Sequence, residues 1–444
     1  MTQTTLHYVM LRFVAVATLI LGYCASALAT PDIEQWQTQH GSQVVFVAAQ
    51  ELPMVDIRIT FDAGSARDGD TPGLALLTNG LLAEGTGELD ADAIAERFED
   101  IGARFGNTVN RDSASVSLRS LSDPQWLKPA LDTFTRVAGQ PSFPANALER
   151  ERQRALIALQ GEKQSPQSLI DKAFYAQVYN GHDYASPVSG TEQSLSAIGR
   201  TDIVKFHQRY YGAGNATIAI VGDLDRKAAE ALADALSAQL PKGDKAAPIA
   251  AFDKAHKGQR VHIEHPSTQT HIMVGLPSLK RGDPDHFALY VGNYVLGGGG
   301  FGSRIMKEIR EKRGLAYSAY SYFAPMRVQG PFVMGLQTTN TQSDEALQVL
   351  AETLAQFVEQ GPSDEELASA KRDIINGFPL SIASNDSTLD YISMIGFYGL
   401  PLDYLDRFTQ NIDSVTREQI RDAFNRHVKP ERLVTVTVGQ GENG

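Results

Sequence analysis

The sequence predicts an α+β protein built from two similar domains in tandem. Three observations predict it. One order of elements (strand, apolar helix, charged helix, strand, two helices, then a helix and a last strand) is written twice along the chain. The candidate strands alternate apolar and polar residues, as strands do when one sheet face packs on helices. Between the two copies, LPKGDKAAPIAAFDKAHKGQR (240–260) is rich in Ala, Lys, Gly and Pro and reads as a linker. The boundaries that follow are a leader at 1–29, a first domain at 30–239, the linker at 240–260 and a second domain at 261–444.

The leader comes first. Arg12 precedes an apolar run from Phe13, and Ala27-Leu28-Ala29 offers small residues for signal peptidase, leaving Thr30 as the new N-terminus. The run is too short for a comfortable membrane span. Tyr23 before Cys24 does not fit a lipoprotein. The expectation is export to a periplasm with the leader removed, and no membrane attachment afterwards.

Each half then opens on a strand, MVDIRITFDAGS in the first and THIMVGLPS in the second. An apolar helix follows, GLALLTNGLLAEGT or DHFALYVGNYVLGGGG. A charged helix and a strand come next, IAERFEDIGARFGNTVNRDSASVSLRS or IMKEIREKRGLAYSAYSYFAPMRVQGPFVMGLQT. Two more helices are separated by a Gly and Pro break, with apolar residues at three- and four-residue spacing. The halves close alike, on SAIGRTDIVKFHQRYYGAGNATIAIVGDL and DSVTREQIRDAFNRHVKPERLVTVTVGQG. In both a Thr is read as the helix cap, and a β-branched strand ends in Val-Gly.

Composition narrows the function. The chain has 444 residues, 42% hydrophobic and 21% charged, enough to bury sizeable cores without a metal or disulfide. Its one cysteine, Cys24, lies in the leader, so the mature chain has no thiolate ligand, disulfide or cysteine nucleophile. The formal charge is −12 with no basic cluster, which argues against nucleic acid.

The glycine run Gly297-Gly298-Gly299-Gly300 invites a phosphate-loop reading, which its surroundings reject. It leads into Phe301-Gly302-Ser303-Arg304, without the Lys-Ser or Lys-Thr that reaches phosphates, and it follows a helix rather than a strand. A helix cap and turn is the simplest role. Glycines also let a foreign backbone approach without meeting a Cβ, which suits peptide binding.

The longer stretch LGGGGFGSRIMKEIREKRGLAYS resembles the C-terminal-domain signature of the pitrilysin/insulinase-type zinc metallopeptidases, and through the two halves the resemblance covers nearly the whole mature chain. The resemblance implies a pair of α+β domains forming half of a clamshell. It also implies that Arg310 and Tyr317, seven positions apart, hold substrate backbone near a zinc. A guanidinium fork and a phenol are both donors that can bond a peptide carbonyl and the oxyanion forming on it.

The chemical half of the family pattern is missing. The family's H-x-x-E-H motif supplies two zinc-ligating histidines and a glutamate base from one helix. In GLALLTNGLLAEGT the framing Gly73-Leu74-Ala75 and Gly85-Thr86 match, but Leu76 and Gly80 stand at the histidines and Asn79 at the glutamate. The later helix that carries the third family ligand has no carboxylate between Arg154 and Gln160; Glu149, Glu151 and Glu162 only flank it. Catalytic zinc needs three protein ligands and an open position, and a carboxamide is no base. His262, Glu264, His265 and His271 form the best remaining cluster, but on a strand His262 and Glu264 share a face that His265 does not. His182, His207, His286 and His427 read as ordinary surface or helix residues.

The resemblance therefore implies a chain that grips peptides and holds no zinc. It would be a non-catalytic subunit of a heterodimeric periplasmic peptidase, adding Arg310, Tyr317 and the glycine turn to a homologous H-x-x-E-H partner that binds the zinc. A peptide-binding or scaffold protein with no protease partner is the alternative.

Overall fold

The computed structural model describes residues 30–252 and 257–441; the leader and Cys24 lie outside them. Thirteen strands occur in chain order: β1 (Glu34–Gln37), β2 (Gln43–Ala48), β3 (Met54–Phe61), β4 (Gly85–Thr86), β5 (Leu89–Asp90), β6 (Arg104–Val109), β7 (Ala114–Leu121), β8 (Ala216–Gly222), β9 (Gln259–Glu264), β10 (Gln269–Leu279), β11 (Ala319–Phe323), β12 (Gly330–Thr339) and β13 (Val434–Gly439). The first half forms a six-stranded sheet, β1-β2-β8-β3-β7-β6, and the second a five-stranded sheet, β11-β12-β10-β13-β9.

The two sheets share one topology. In each, the last strand of the half runs parallel to an early one, β8 on β2 and β13 on β9, and all other pairs are antiparallel. Strand β1 is an addition to the first half. Neither β1 nor β2 follows from the alternation that marks the other strands: QVVFVA is a continuous apolar run, buried along most of its length. The Val-Gly ends of β8 and β13 are where the sequence puts them.

The expectation of one helix-covered face per sheet is corrected, because each half lends a helix to the other. The helix Pro166–Val178 lies on β13 and β10, setting Ile170, Phe174 and Val178 against Met273, Val333, Val436 and Val438. The helix Asn385–Tyr398 lies on β8, β3 and β2, where Leu389, Ile392 and Ile395 join Val45, Val47, Ala219 and Val221 in one core. Each such apolar side chain contributes about 1.5–3 kcal/mol when fully buried. Glycines permit both contacts: a Cβ on Gly275 would stand 2.7 Å from Phe174, and one on Gly396 would stand 2.6 Å from Val45. With both faces covered, β8 is buried throughout.

Polar contacts tie the halves at the same seam. The buried Asp112 carboxylate accepts hydrogen bonds from the Tyr184 hydroxyl, from the Tyr398 hydroxyl (2.8 Å) and from the Arg327 backbone N–H (2.8 Å). Arg58 pairs with Asp390 at 2.5 Å. One helix cap also differs from expectation. Thr416 caps its helix, but Thr201 sits inside the helix Arg200–Tyr210, whose start is set by the Gly199 N–H donating to the Asp202 carboxylate. Gly199, the cap residue, has no side chain to accept from the first turn, and Asp202 instead reaches back to accept from the cap's own N–H. No helix among the described residues is long and apolar enough to cross a membrane.

Candidate functional site

The first-half site begins at the helix Leu74–Gly80. Gly73, at φ +91°, turns the chain into it. The Asp68 carboxylate accepts from the Gly73 and Ala75 N–H groups at 2.8 and 2.7 Å, a cap supplied from outside the helix. Burial pushes the Asp68 carboxyl up to about 7, against those two hydrogen bonds.

Past the cap, the residues do not fit a zinc ion. Leu76 is half-buried and carries no donor atom. The Asn79 amide is buried and spent, donating to the Tyr211 hydroxyl (3.1 Å) and the Ser115 carbonyl (3.4 Å). The Asn107 amide in turn donates to the Asn79 carbonyl at 2.8 Å. Gly80 is exposed, with open space where a side chain would stand. On the helix Ala145–Lys163, Leu159 is buried and Ile157 is 71% exposed where a family ligand is expected. The flanking acids are engaged with cations: Glu149 with Arg152, Glu151 with Arg154, and Glu162 with Lys172.

The other histidines do not supply a replacement. His262 bonds the Thr437 hydroxyl at 2.9 Å and lies 3.4 Å from Glu264. His207, a helix residue as expected, is buried; its Nε2 faces the Ala138 carbonyl at 2.9 Å, and burial pulls its pKa down to about 4. His286 is likewise desolvated, to about 4. Among the described residues, ligand-type side chains gather in one group only, Asp283, Asp285 and His427. Arg426 already holds both oxygens of Asp285 there, at 2.6 and 2.9 Å.

In the second half the glycine run is flanked by two wide helical turns, Tyr294–Gly298 and Lys307–Glu311. Three of the glycines answer to packing. A Cβ on Gly297 would meet Ser321 at 2.4 Å, on Gly298 Asn293 at 2.6 Å, and on Gly299 the Tyr294 carbonyl at 2.7 Å. Gly300, at φ +61°, is open to solvent and has nothing within 4 Å of its missing side chain. It is the one glycine of the run with free space in front of it.

This turn presents Phe301, which is 64% exposed, and brings it to Arg310. The Arg310 guanidinium lies 4.6 Å from the Phe301 ring centroid and 4.6 Å from that of Tyr317. Tyr317 is 81% exposed. Several neighbouring charges are paired with one another: Glu308 with Lys312 and Arg313, and Arg304 with Glu366. Arg310 makes no ion pair with any described residue, and its buried Nη1 has no hydrogen-bond partner. The structure thus brings Arg310 and Tyr317 together, with a donor to spare. Phe301 is the residue that sequence reasoning missed. The signal was a large apolar side chain in the middle of a glycine turn.

Comparison with known proteins finds relatives of both halves of the chain. Residues 43–192 match the family model described as insulinase (peptidase family M16), and residues 197–374 match the one described as peptidase M16 inactive domain. The chain is 42% identical to a crystal structure described as a peptidase M16 inactive domain from Pseudomonas fluorescens, with a TM-score of 0.89, covering 92% of this chain and 98% of that one. It is 27% identical to the non-peptidase homolog YmxG of Helicobacter pylori, over 95% of this chain and 96% of that protein. It is 26% identical to the uncharacterized zinc protease ML0855 of Mycobacterium leprae, over 84% and 85%.

Proposed function

This chain belongs to the insulinase (peptidase M16) family, and on that premise we propose that it is the non-catalytic, substrate-binding subunit of a heterodimeric periplasmic zinc peptidase. The observation that carries the proposal is Arg310, in contact with the rings of Phe301 and Tyr317 and without an ion-pair partner among the described residues, in a chain whose zinc positions are Leu76, Asn79 and Gly80. A homologous subunit with H-x-x-E-H supplies the zinc, the bound water and the base. This chain supplies Arg310 and Tyr317, which orient the peptide carbonyl and donate to the oxyanion that forms when water adds to it. The Gly300 turn leaves room for the peptide backbone. The leader at 1–29 directs export, and the domains at 30–239 and 261–444 close the shared cavity.

The reading as a peptide-binding or scaffold protein without a protease partner draws on the name of the Helicobacter pylori relative, a non-peptidase homolog. Co-expression of the mature chain with an H-x-x-E-H homologue from the same genome separates the two. A stable heterodimer in size-exclusion chromatography, with peptidase activity exceeding that of either chain alone, supports the subunit. Two monomers with no added activity support the scaffold.

A further inference from the structure

A second cavity, away from the glycine turn, has the makings of a ligand site. Its volume is about 280 Å³, and it lies between the helices His286–Asn293 and Asn385–Tyr398 and the end of β11. That is near the lower end of sizes for small-molecule sites and suits a ligand of one ring or one side chain. The walls are mostly aromatic and apolar, with Tyr290, Tyr322, Phe323, Tyr391, Met394 and Phe408 among them. Tyr290 and Tyr322 are 43% and 38% exposed, so the mouth is open to solvent.

One charged residue lines this space, Arg281, and no carboxylate does. Arg281 makes no ion pair with any described residue. Its Nε is buried without a hydrogen-bond partner, and its guanidinium lies 5.4 Å from the Tyr398 ring centroid. A guanidinium without an anionic partner, on the wall of a cavity that holds no carboxylate, is suited to a ligand anion. His286, also in the wall, adds no competing charge: burial and the nearby Arg281 keep it neutral at pH 7, with its Nε2 3.2 Å from the Tyr404 hydroxyl. A neighbouring cavity of about 210 Å³ shares Arg281, His286 and Tyr404, and Asp283, Asp403 and Arg407 also line it, Arg407 being paired with Asp403 at 2.7 Å. The aromatic cavity differs in having Arg281 as its one charged residue.

We infer that this aromatic cavity binds an apolar carboxylate, its anion on Arg281 and its hydrocarbon part among the rings. The chemistry is shared by a free aromatic acid and by the C-terminal residue of a peptide ending in phenylalanine. The inference does not rest on the role of Arg310, so either can fail alone.

Calorimetric titration of the purified mature protein tests it, using phenylpropionate, phenylpropionamide, and Ala-Ala-Ala-Phe as the acid and as the amide. Saturable binding of at least one acid is expected, with its amide at least tenfold weaker. Binding of phenylpropionate alone identifies a free acid as the ligand, and tighter binding of the peptide acid identifies a chain terminus. Arg281→Met is expected to weaken the bound acid at least tenfold, and Arg281→Lys, which keeps a charge but loses Nε, to an intermediate degree. Equal affinity for acid and amide, or no saturable binding of either acid, overturns the inference. So does unchanged affinity in a folded Arg281→Met protein. The acid and amide are compared on the unsubstituted chain, so the test stands even where a variant does not fold.

Discussion

The Arg310 guanidinium lies 4.6 Å over the ring of Tyr317, and the ring of Phe301 lies at the same distance from the same charge. Two rings restrict a long side chain that would otherwise move freely, and they leave its Nη1 without a partner. A restrained donor loses less entropy on meeting a carbonyl than a free one.

Under the proposed function, Phe301 is expected to affect the reaction of the pair without touching zinc. Phe301→Ala removes one face of the clamp, worth about 0.5–2 kcal/mol as a cation–π contact. Turnover by the reconstituted pair is expected to fall roughly twofold to thirtyfold, because each 1.4 kcal/mol is tenfold. Phe301→Tyr is expected to restore it. Steady-state kinetics of both variants check this, and equal activity in the Ala variant counts against the clamp.

Asn79 has become structural where the family pattern has a base. Asn79→Leu keeps the volume roughly but leaves the Tyr211 hydroxyl and the Ser115 carbonyl without the amide. A loss of about 1–3 kcal/mol in urea unfolding is expected. No change in stability contradicts this account of the position.

The seam between the halves depends on Asp112. Asp112→Ala strands the Tyr184 and Tyr398 hydroxyls and the Arg327 N–H. A destabilisation of about 2–4 kcal/mol is expected, since bonds to charged groups contribute about 1.5–3 kcal/mol each and do not add fully. Faster proteolysis in the segment around Arg327 should accompany it. A variant as stable and as protected as the original protein would show that packing alone holds the seam.

His207 gives the fold a pH dependence with a definite sign. Its folded pKa is depressed to about 4 by burial, from the ordinary 6.5. Its contribution is therefore complete above pH 6.5 and is lost as pH falls from there towards 4. Asp68 works the other way: its folded pKa is raised to about 7, so its contribution is present at low pH and is lost between about pH 4 and 7. His207→Gln should flatten the decline below pH 6.5, and Asp68→Asn should steepen it. Unfolding midpoints measured across pH 4 to 8 check both, and unchanged profiles contradict the burial argument.

Much of this was legible in the sequence, for physical reasons that differ by element. The duplicated order was readable because β3 and β10 begin as alternating strands and the Val-Gly ends of β8 and β13 repeat. Strand β2 was not, because both its faces are covered and its pattern loses the period of two. The helix exchange was invisible, since Phe174 and Ile392 read as core residues whichever sheet they cover. At the site, Leu76, Asn79 and Gly80 could be read as empty of ligands from residue type alone. The ring over Arg310 could not: Phe301 reaches it through the turn at Gly300, and only the folded chain brings the two together.

The central claim is that Arg310 and Tyr317 act on a zinc site carried by another chain. Its most direct test is turnover of a fluorogenic peptide by the purified heterodimer, comparing the unsubstituted pair with Arg310→Ala and Tyr317→Phe, with zinc counted on the same samples. The account predicts intact assembly, unchanged zinc in the sister subunit and none in this chain, and turnover lower by on the order of a hundredfold for the loss of a donor to the oxyanion. Full activity in both variants, or one zinc per copy of this chain, would contradict it.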